Sequence, residues 1–551
     1  MTTDEFDIFF KQNKPATRRY GVVTGGSLRA GLTVRLDADA PVEDMAVGRY
    51  VVIEGQQRRF FGMINDVELG VTNRDVQMMP PDTSDPFVRE VYLSTAVYGI
   101  LHVSPLLVLD DAAAEPRPVK TVPGHFSTVR AATAEDMDLV FGEEDDIHFH
   151  IGEPLDMEDV PVNVDLQRMA ERSVGVFGKS GTGKSFLTRI LLAGMIQKNA
   201  AVSLIFDMHN DYGWQIQTEG RTSVKGLRQL FPGRVAIFTL DEDSSRRRNV
   251  QPDFVVTMRW RDILPEDLEM LKVTLGLSDQ MIGAAYTLKR FWGDEWIKVL
   301  LDAEKEDFDD LAENTSVAKA SVAALSRRLE KLARFDFIQD TIQKDSATEI
   351  ISYLESGKTV VLEFGRYGNA LEAYILVANY LTRRIHKMYV DRVERALGNK
   401  ADEPPPLMIV IEEAHKFLDP QIAQQTIFGI IARELRKYNV TLLVVDQRPS
   451  GIDEEVMSQI GTRVTALLDN DRDIRAVLSG VSGAESLREV LARLDTKQQA
   501  LIMGHAVPMP VVVQTRTYDA DFYAAVTGTA AAMSQSERVN LLRGEEEEGI
   551  D

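Results

Sequence analysis

The 551-residue sequence contains no cysteine. That excludes disulfides, thiol nucleophiles, iron–sulfur clusters and thiolate zinc sites, and it agrees with a reducing compartment. Long apolar runs are also missing. The strongest, Met408 to Ile411, is strand-sized, against the ~20 residues that a bilayer-spanning helix needs. Positive charge is in deficit, with 62 Lys+Arg against 85 Asp+Glu and a net charge of −23. A globally basic nucleic-acid coat and a polybasic membrane-surface protein are thereby excluded, so any DNA contact is local. Met1 to Phe10 carries Asp4, Glu5 and Asp7 and no basic residue, unlike the charged head of a signal peptide. The expectation is a soluble cytoplasmic protein with no membrane association. What remains, 44% apolar and 27% charged, is ordinary globular composition, and the length accommodates roughly three to five domain-sized units.

Two grammars divide the chain. From Tyr20 to about Val67, short β-rich runs alternate with glycine: Tyr20–Thr24, Leu32–Leu36, Tyr50–Ile53 and Phe60–Ile64. Such text reads as a small barrel or sandwich. Pro80–Pro86 reads as a loop, and further β-like text, Val91–Val97 and Gly99–Val103, follows it. This first domain is expected to span 1–145, ending at the acidic break Glu143–Asp146. After His150 the pattern becomes strand (Ser173–Phe177), helix (Lys184–Asn199), strand (Ala201–Asp207), a βαβ unit of parallel-sheet type. Leu264 to Ile342 is helical in spacing before Thr359–Phe364 resumes as a buried strand. The expectation is an α/β domain over 146–520 with a helical insertion at about 260–345. Leu407–Ile411, Thr441–Val445 and Val464–Leu468 supply further strands. Residues 521–551 are expected to form a C-terminal helix and an acidic tail ending in Glu545–Glu548.

Gly178-Lys179-Ser180-Gly181-Thr182-Gly183-Lys184-Ser185 matches the phosphate-loop pattern and sits between a predicted strand and a predicted helix. Its backbone N–H groups and the helix N-terminus suit phosphate oxygens. Lys184 would neutralise the β- and γ-phosphates, Ser185 would hold Mg²⁺, and Phe186 follows as a further nucleotide-site candidate. Hydrolysis needs a second strand bearing carboxylates, and Leu407–His415 provides it. Glu412 would contact the Mg²⁺ shell and Glu413 would orient the attacking water. Gln447, at the tip of the Thr441–Val445 strand, suits sensing of the γ-phosphate. Arg433 and Arg436, on the helix before that strand, either enter a neighbouring subunit's site or cover a helix face. Asp207 and His209 either couple nucleotide state to a channel or shape a turn. His415 reads as a packing histidine, and His148 with His150 is weak evidence for zinc. Arg246–Arg248 and Lys344 are candidate DNA contacts, the alternative for Arg246–Arg248 being a solvated loop.

Four ordered runs, Val176–Ser185, Phe206-Asp-Met-His-Asn-Asp-Tyr212, Ile411-Glu-Glu-Ala-His415 and Gln447-Arg-Pro-Ser450, resemble the HerA family of hexameric DNA translocases, in the FtsK-HerA branch of RecA-like ATPases. The resemblance covers most of the chain, including a tail like Ala500–Gly504 before Pro510–Val513. It implies a RecA-like P-loop ATPase core with a helical insertion, preceded by a small β-barrel of the HAS-barrel type. It also implies an ATP- and Mg²⁺-dependent ATP hydrolase acting as a homohexameric ring around double-stranded DNA. A NurA-type nuclease would dock on the barrel for DNA end resection and recombinational repair. Lys184, Ser185, Glu412, Glu413 and Gln447 match the family's nucleotide-site positions, and the trans-acting arginine maps to Arg436 or Arg433. The chain departs from the family at His209-Asn-Asp-Tyr212, where His-Gly-Glu-Tyr is usual, and at Leu435, where glycine is usual. The alternatives are the ATPase subunit of an antiphage complex with a nuclease or sirtuin-like effector, and a secretion or conjugation ATPase.

Overall fold

A computed structural model describes residues 18–528, apart from 83, 111–115, 156, 158, 218–222, 305, 399–402, 425 and 482–483. The Met1–Phe10 reading and the Glu545–Glu548 run lie outside the described residues. The chain divides into two compact units: 1–164 with 482–495 and 499–515, and 165–481 with 496–498 and 516–551.

In the first unit an antiparallel barrel closes on itself. The strands run in the order Gly31–Leu36, Arg19–Ser27, Thr128–Ala131, Tyr50–Glu54, Arg59–Val71, Val97–Leu109, and the last pairs back onto the first. Alternation drives closure. Leu32, Val34 and Leu36 point inward from one strand and Leu101 and Val103 from its partner, joining Val51, Ile53, Ile64 and Val129 in one dry core. Gly21 permits the tightest approach, since a Cβ there would lie 2.0 Å from the Arg35 carbonyl oxygen. Arg59–Val71 and Val97–Leu109 run on beyond the barrel as a long hairpin. Two helices, Arg74–Met78 and Pro86–Thr95, connect them. Most of the Val91–Val97 run expected as strand is therefore helix: Asp85 caps it by accepting from the Phe87 amide, and Pro86 occupies the first turn. Gln499–Gly504 and Val511–Thr515 form an antiparallel pair, with His148–Pro154 beside the second strand.

The second unit is built on parallel strands in the order Phe254–Val255, Val235–Thr239, Thr359–Glu363, Val202–Asp207, Leu407–Glu412, Val440–Asp446, Val174–Phe177, Thr462–Thr465. These strands are buried on both faces, which explains their near-continuous apolar sequences. Helices from Pro265–Met270 to Lys319–Leu329 occupy the segment expected to be helical. Asp267 anchors them to the long helix Leu371–Ala396, accepting from Asn379 at 2.7 Å and pairing with Arg383 at 2.9 Å. Register sets the chemistry. Phe177 lies opposite Asp446, Asp207 opposite Glu363, and Glu412 opposite Val445. Four carboxylates, Asp207, Glu363, Glu412 and Asp446, thus line the carboxyl edge of one sheet, where ligands of open α/β folds bind.

Candidate functional site

The Val174–Phe177 strand delivers the chain into the glycine loop between two neighbouring strands. Gly178 is packed so closely that a Cβ would lie 2.8 Å from Thr182 Oγ1. Gly183 adopts a left-handed φ of 87° as N-cap of the helix Lys184–Gln197, a conformation that a Cβ disfavours. Thr182 Oγ1 donates to the Lys179 carbonyl at 2.8 Å, and the Lys179 amide donates to the Leu467 carbonyl at 3.0 Å. The chain's own hydrogen bonds therefore hold the loop's shape, with the helix's N-terminal amides behind it. Lys184 Nζ also donates to the Lys179 carbonyl at 2.8 Å. Burial pushes the Lys184 ammonium below its ordinary value against the pull of Glu413, Asp446 and Glu412. Lys179, Ser180 and Gly181 are exposed, while Ser185 and Phe186 are half-buried.

Glu412 ends its strand fully enclosed. Tyr212 Oη donates to its Oε1 at 2.8 Å, and Tyr374 Oη both accepts from its amide and donates to its carbonyl. Its Oε2 is buried without a partner. Burial raises the Glu412 carboxyl to about 7, opposed by the Tyr212 hydrogen bond. A buried carboxylate oxygen lacking a donor, on the sheet edge that carries Ser185, is the hard-oxygen chemistry that fits Mg²⁺. Glu413 follows in a left-handed conformation, φ 49° and ψ 46°, strain of a kind that clusters at functional sites. It accepts from Gln447 Nε2 at 3.1 Å. The sequence-expected Glu412, Glu413 and Gln447 are therefore brought together with Lys184.

The Asp207–Tyr212 run is a turn organised by one carboxylate. Asp207 accepts from the amides of Asp211 at 2.6 Å, Tyr212 at 2.8 Å and Gly213 at 3.2 Å. Burial, with Glu363 and Glu412 nearby, raises its carboxyl to about 8, and the amides pull it back. His209 is exposed, so backbone amides rather than an Asp–His pair shape this turn. Arg189, fully buried, donates to the Asp211 carbonyl and lies over the Phe186 ring.

His415 sits on the short helical turn Ala414–Lys416 and is hydrogen-bonded to the end of the neighbouring strand. Its amide donates to Asp446 Oδ2 at 2.7 Å, its ring Nδ1 lies 3.0 Å from the same oxygen, and Glu413 Oε2 is 3.7 Å from that nitrogen. Sequence reading missed Asp446, Tyr374 and Arg189. Asp446 alone carried a signal, as the acid between a buried strand and Gln447.

Arg433 ends the helix Ile427–Glu434, where its Nη2 donates to the Gln424 carbonyl at 3.1 Å and its Nη1 is buried without a partner. Arg436 lies on the short turn Leu435–Tyr438, and its side chain is outside the described residues. Among the candidate DNA contacts, Arg246 and Arg247 sit on the helix Glu242–Arg247 rather than in a loop. Arg248 is paired with the buried Glu363, and Lys344 with Glu349. His148 faces Asp145, and no cluster of three or more His, Asp or Glu suited to a metal occurs among the described residues. None of the described helices is long and apolar enough to cross a membrane.

Comparison with known proteins adds to this geometry. Residues 149–385 match the family model described as Helicase HerA, central domain, and residues 20–96 match the HAS barrel domain. A DNA double-strand break repair helicase HerA of Sulfurisphaera tokodaii is 24% identical over 483 residues, 86% of this chain and 88% of that protein. A probable helicase of Methanocaldococcus jannaschii is 29% identical over 367 residues, 65% and 68% of the two chains. Among solved structures, VirB4 of Thermoanaerobacter pseudethanolicus is similar with TM-score 0.42 at 16% identity, covering 68% of this chain and 98% of that one.

Proposed function

The chain belongs to the HerA family of ATP-hydrolysing P-loop enzymes, and from that premise we propose that it couples ATP hydrolysis to movement along duplex DNA. The observation that carries the reading is convergence. The loop bearing Lys184 and the acid pair Glu412–Glu413 meet at the carboxyl edge of one parallel sheet, and Lys184 feels the charge of both acids. Bound Mg²⁺–ATP supplies the scissile phosphoanhydride. The loop amides and Lys184 would hold its phosphates, Ser185 and Glu412 would hold the ion, Glu413 would orient water, and Gln447, which donates to Glu413, would face the phosphate end.

In this reading the motor is residues 146–520 with the insertion at about 260–345. It assembles as a homohexameric ring with Arg436 or Arg433 reaching the neighbouring site, and the barrel of residues 1–145 seats a NurA-type nuclease for end resection. The relatives named as double-strand break repair helicases support the helicase and repair part of this reading. A net charge of −23 is compatible with it, because a channel needs only a few basic or amide-bearing loops repeated around a ring. The test is steady-state ATP hydrolysis with and without linear duplex DNA, together with the mass in solution. A hexamer whose turnover rises several-fold with duplex supports the proposal. A monomer, or turnover indifferent to DNA in the presence of its nuclease, refutes it.

A further inference from the structure

His415 is the one charged or titratable member of the acid-pair segment that the hydrolytic reading leaves without work. Three observations give it one. Its amide and its ring Nδ1 both address the Asp446 carboxylate, at 2.7 and 3.0 Å, so one residue makes two hydrogen bonds to the end of the neighbouring strand. Asp446 is itself fixed from its own side, accepting from the Arg448 amide at 2.7 Å. The turn that carries His415 is strained: Glu413 is left-handed, and its carbonyl accepts from the Lys416 amide at 2.8 Å to close the turn. Glu413 and Gln447, joined at 3.1 Å, therefore stand on two turns that the His415–Asp446 contact also connects.

We propose that His415 is a positioning residue of the hydrolytic site, which ties the strained Glu413 turn to Asp446 so that Glu413 and Gln447 are set as one unit. The proposal rests on the hydrolytic reading given above. The imidazole Nδ1 lies 3.0 Å from Asp446 Oδ2 and 3.7 Å from Glu413 Oε2, so its part in hydrolysis is to act through Glu413. Asp446 holds the proton-bearing Nδ1 toward itself. Burial raises the Asp446 carboxyl, but the hydrogen bonds from His415 and the Arg448 amide outweigh it and keep that group below its ordinary value, an ionised acceptor. Gly451 backs the histidine closely: a Cβ at that position would lie 3.3 Å from His415 Cβ.

The test compares the full-length wild type with His415→Ala, His415→Asn, Gln447→Ala and the His415→Ala/Gln447→Ala pair. ATP turnover, binding of a fluorescent non-hydrolysable ATP analogue and melting temperature are read for each. His415→Ala is expected to lose roughly ten- to a hundred-fold in kcat, within the range of a misplaced catalytic group, while analogue affinity changes less than about threefold. Asparagine places an N–H donor where Nδ1 stands, so His415→Asn is expected to recover most of the loss. The double variant is expected to be little worse than the worse single variant, because the two residues act as a unit. His415→Ala at the wild-type rate, His415→Asn no better than His415→Ala, or losses that multiply in the double variant would each overturn the proposal. A destabilised His415→Ala leaves the asparagine rescue and its melting temperature to decide. Absence of turnover in the wild type would instead reject the hydrolytic reading itself.

Discussion

The two units differ in how completely their buried carboxylates are satisfied. In the barrel unit the buried carboxylate among the described residues is Asp136, and every demand on it is met. Arg130 donates to both of its oxygens, at 2.6 and 3.1 Å, and the Thr133 amide and hydroxyl complete the set. These bonds make Asp136 the capping-box acid of the helix Ala134–Phe141. In the ATPase unit Asp207, Glu363, Glu412 and Asp446 crowd one sheet edge, and Glu412 keeps an oxygen without a donor. A satisfied buried charge stabilises shape, whereas a buried charge left short of partners marks the place where a ligand completes the structure.

That contrast can be broken at four points. The largest effect is expected at Arg436, proposed to act on a neighbouring subunit's site. Arg436→Ala should lower turnover by about 10³-fold or more while nucleotide still binds. In mixed rings with Lys184→Ala subunits, activity recovered across subunits supports the role, and rescue only within one subunit rejects it. Next, Glu413→Gln should retain ATP and lose about 10²–10⁴-fold in turnover, the range for a general base; a normal rate would remove Glu413 from the water-activating role. Third, Asp136→Ala leaves Arg130 without its bidentate partner and should destabilise the barrel by about 3 kcal/mol. Urea denaturation followed by a barrel-specific probe would register this. The same variant should keep DNA-independent ATP turnover per folded chain, and a proportional loss of turnover would erase the contrast.

The smallest effect concerns pH. Glu412 has its folded value raised to about 7 from an ordinary 4.5, so its contribution to stability is present below about 4.5 and is lost as pH rises through 7. Glu412→Gln escapes that loss. Its melting temperature relative to wild type, measured without nucleotide, should therefore be higher by a few degrees at pH 8 than at pH 5. A difference independent of pH would mean that Glu412 is not held in this environment.

Local signals in the sequence are legible. The phosphate loop lies within a few residues of its strand and helix, and the expected Ser173–Phe177 and Lys184–Asn199 correspond to Val174–Phe177 and Lys184–Gln197. Glu412 and Glu413 are legible because a buried strand ends at them. What is not legible depends on strand order. Tyr212 meets Glu412 across 200 positions only because Val202–Asp207 pairs with Leu407–Glu412, and His415 meets Asp446 only because the next strand lies alongside. The misreadings come from competing cues. In Pro86–Thr95 a run of β-branched and aromatic residues masks an Asp-Pro helix start, and in Glu242–Arg247 a cluster of arginines draws attention from the Asp241 cap.

The central claim, that hydrolysis at Lys184 and Glu413 drives movement along duplex DNA, is tested most directly by displacement of a third strand from a triplex at the end of a long linear duplex. The account predicts ATP-dependent displacement by the wild-type protein with the proposed nuclease partner, and none by Glu413→Gln although it binds ATP and DNA. Brisk DNA-stimulated hydrolysis by the wild type without displacement, or displacement by Glu413→Gln, would contradict it.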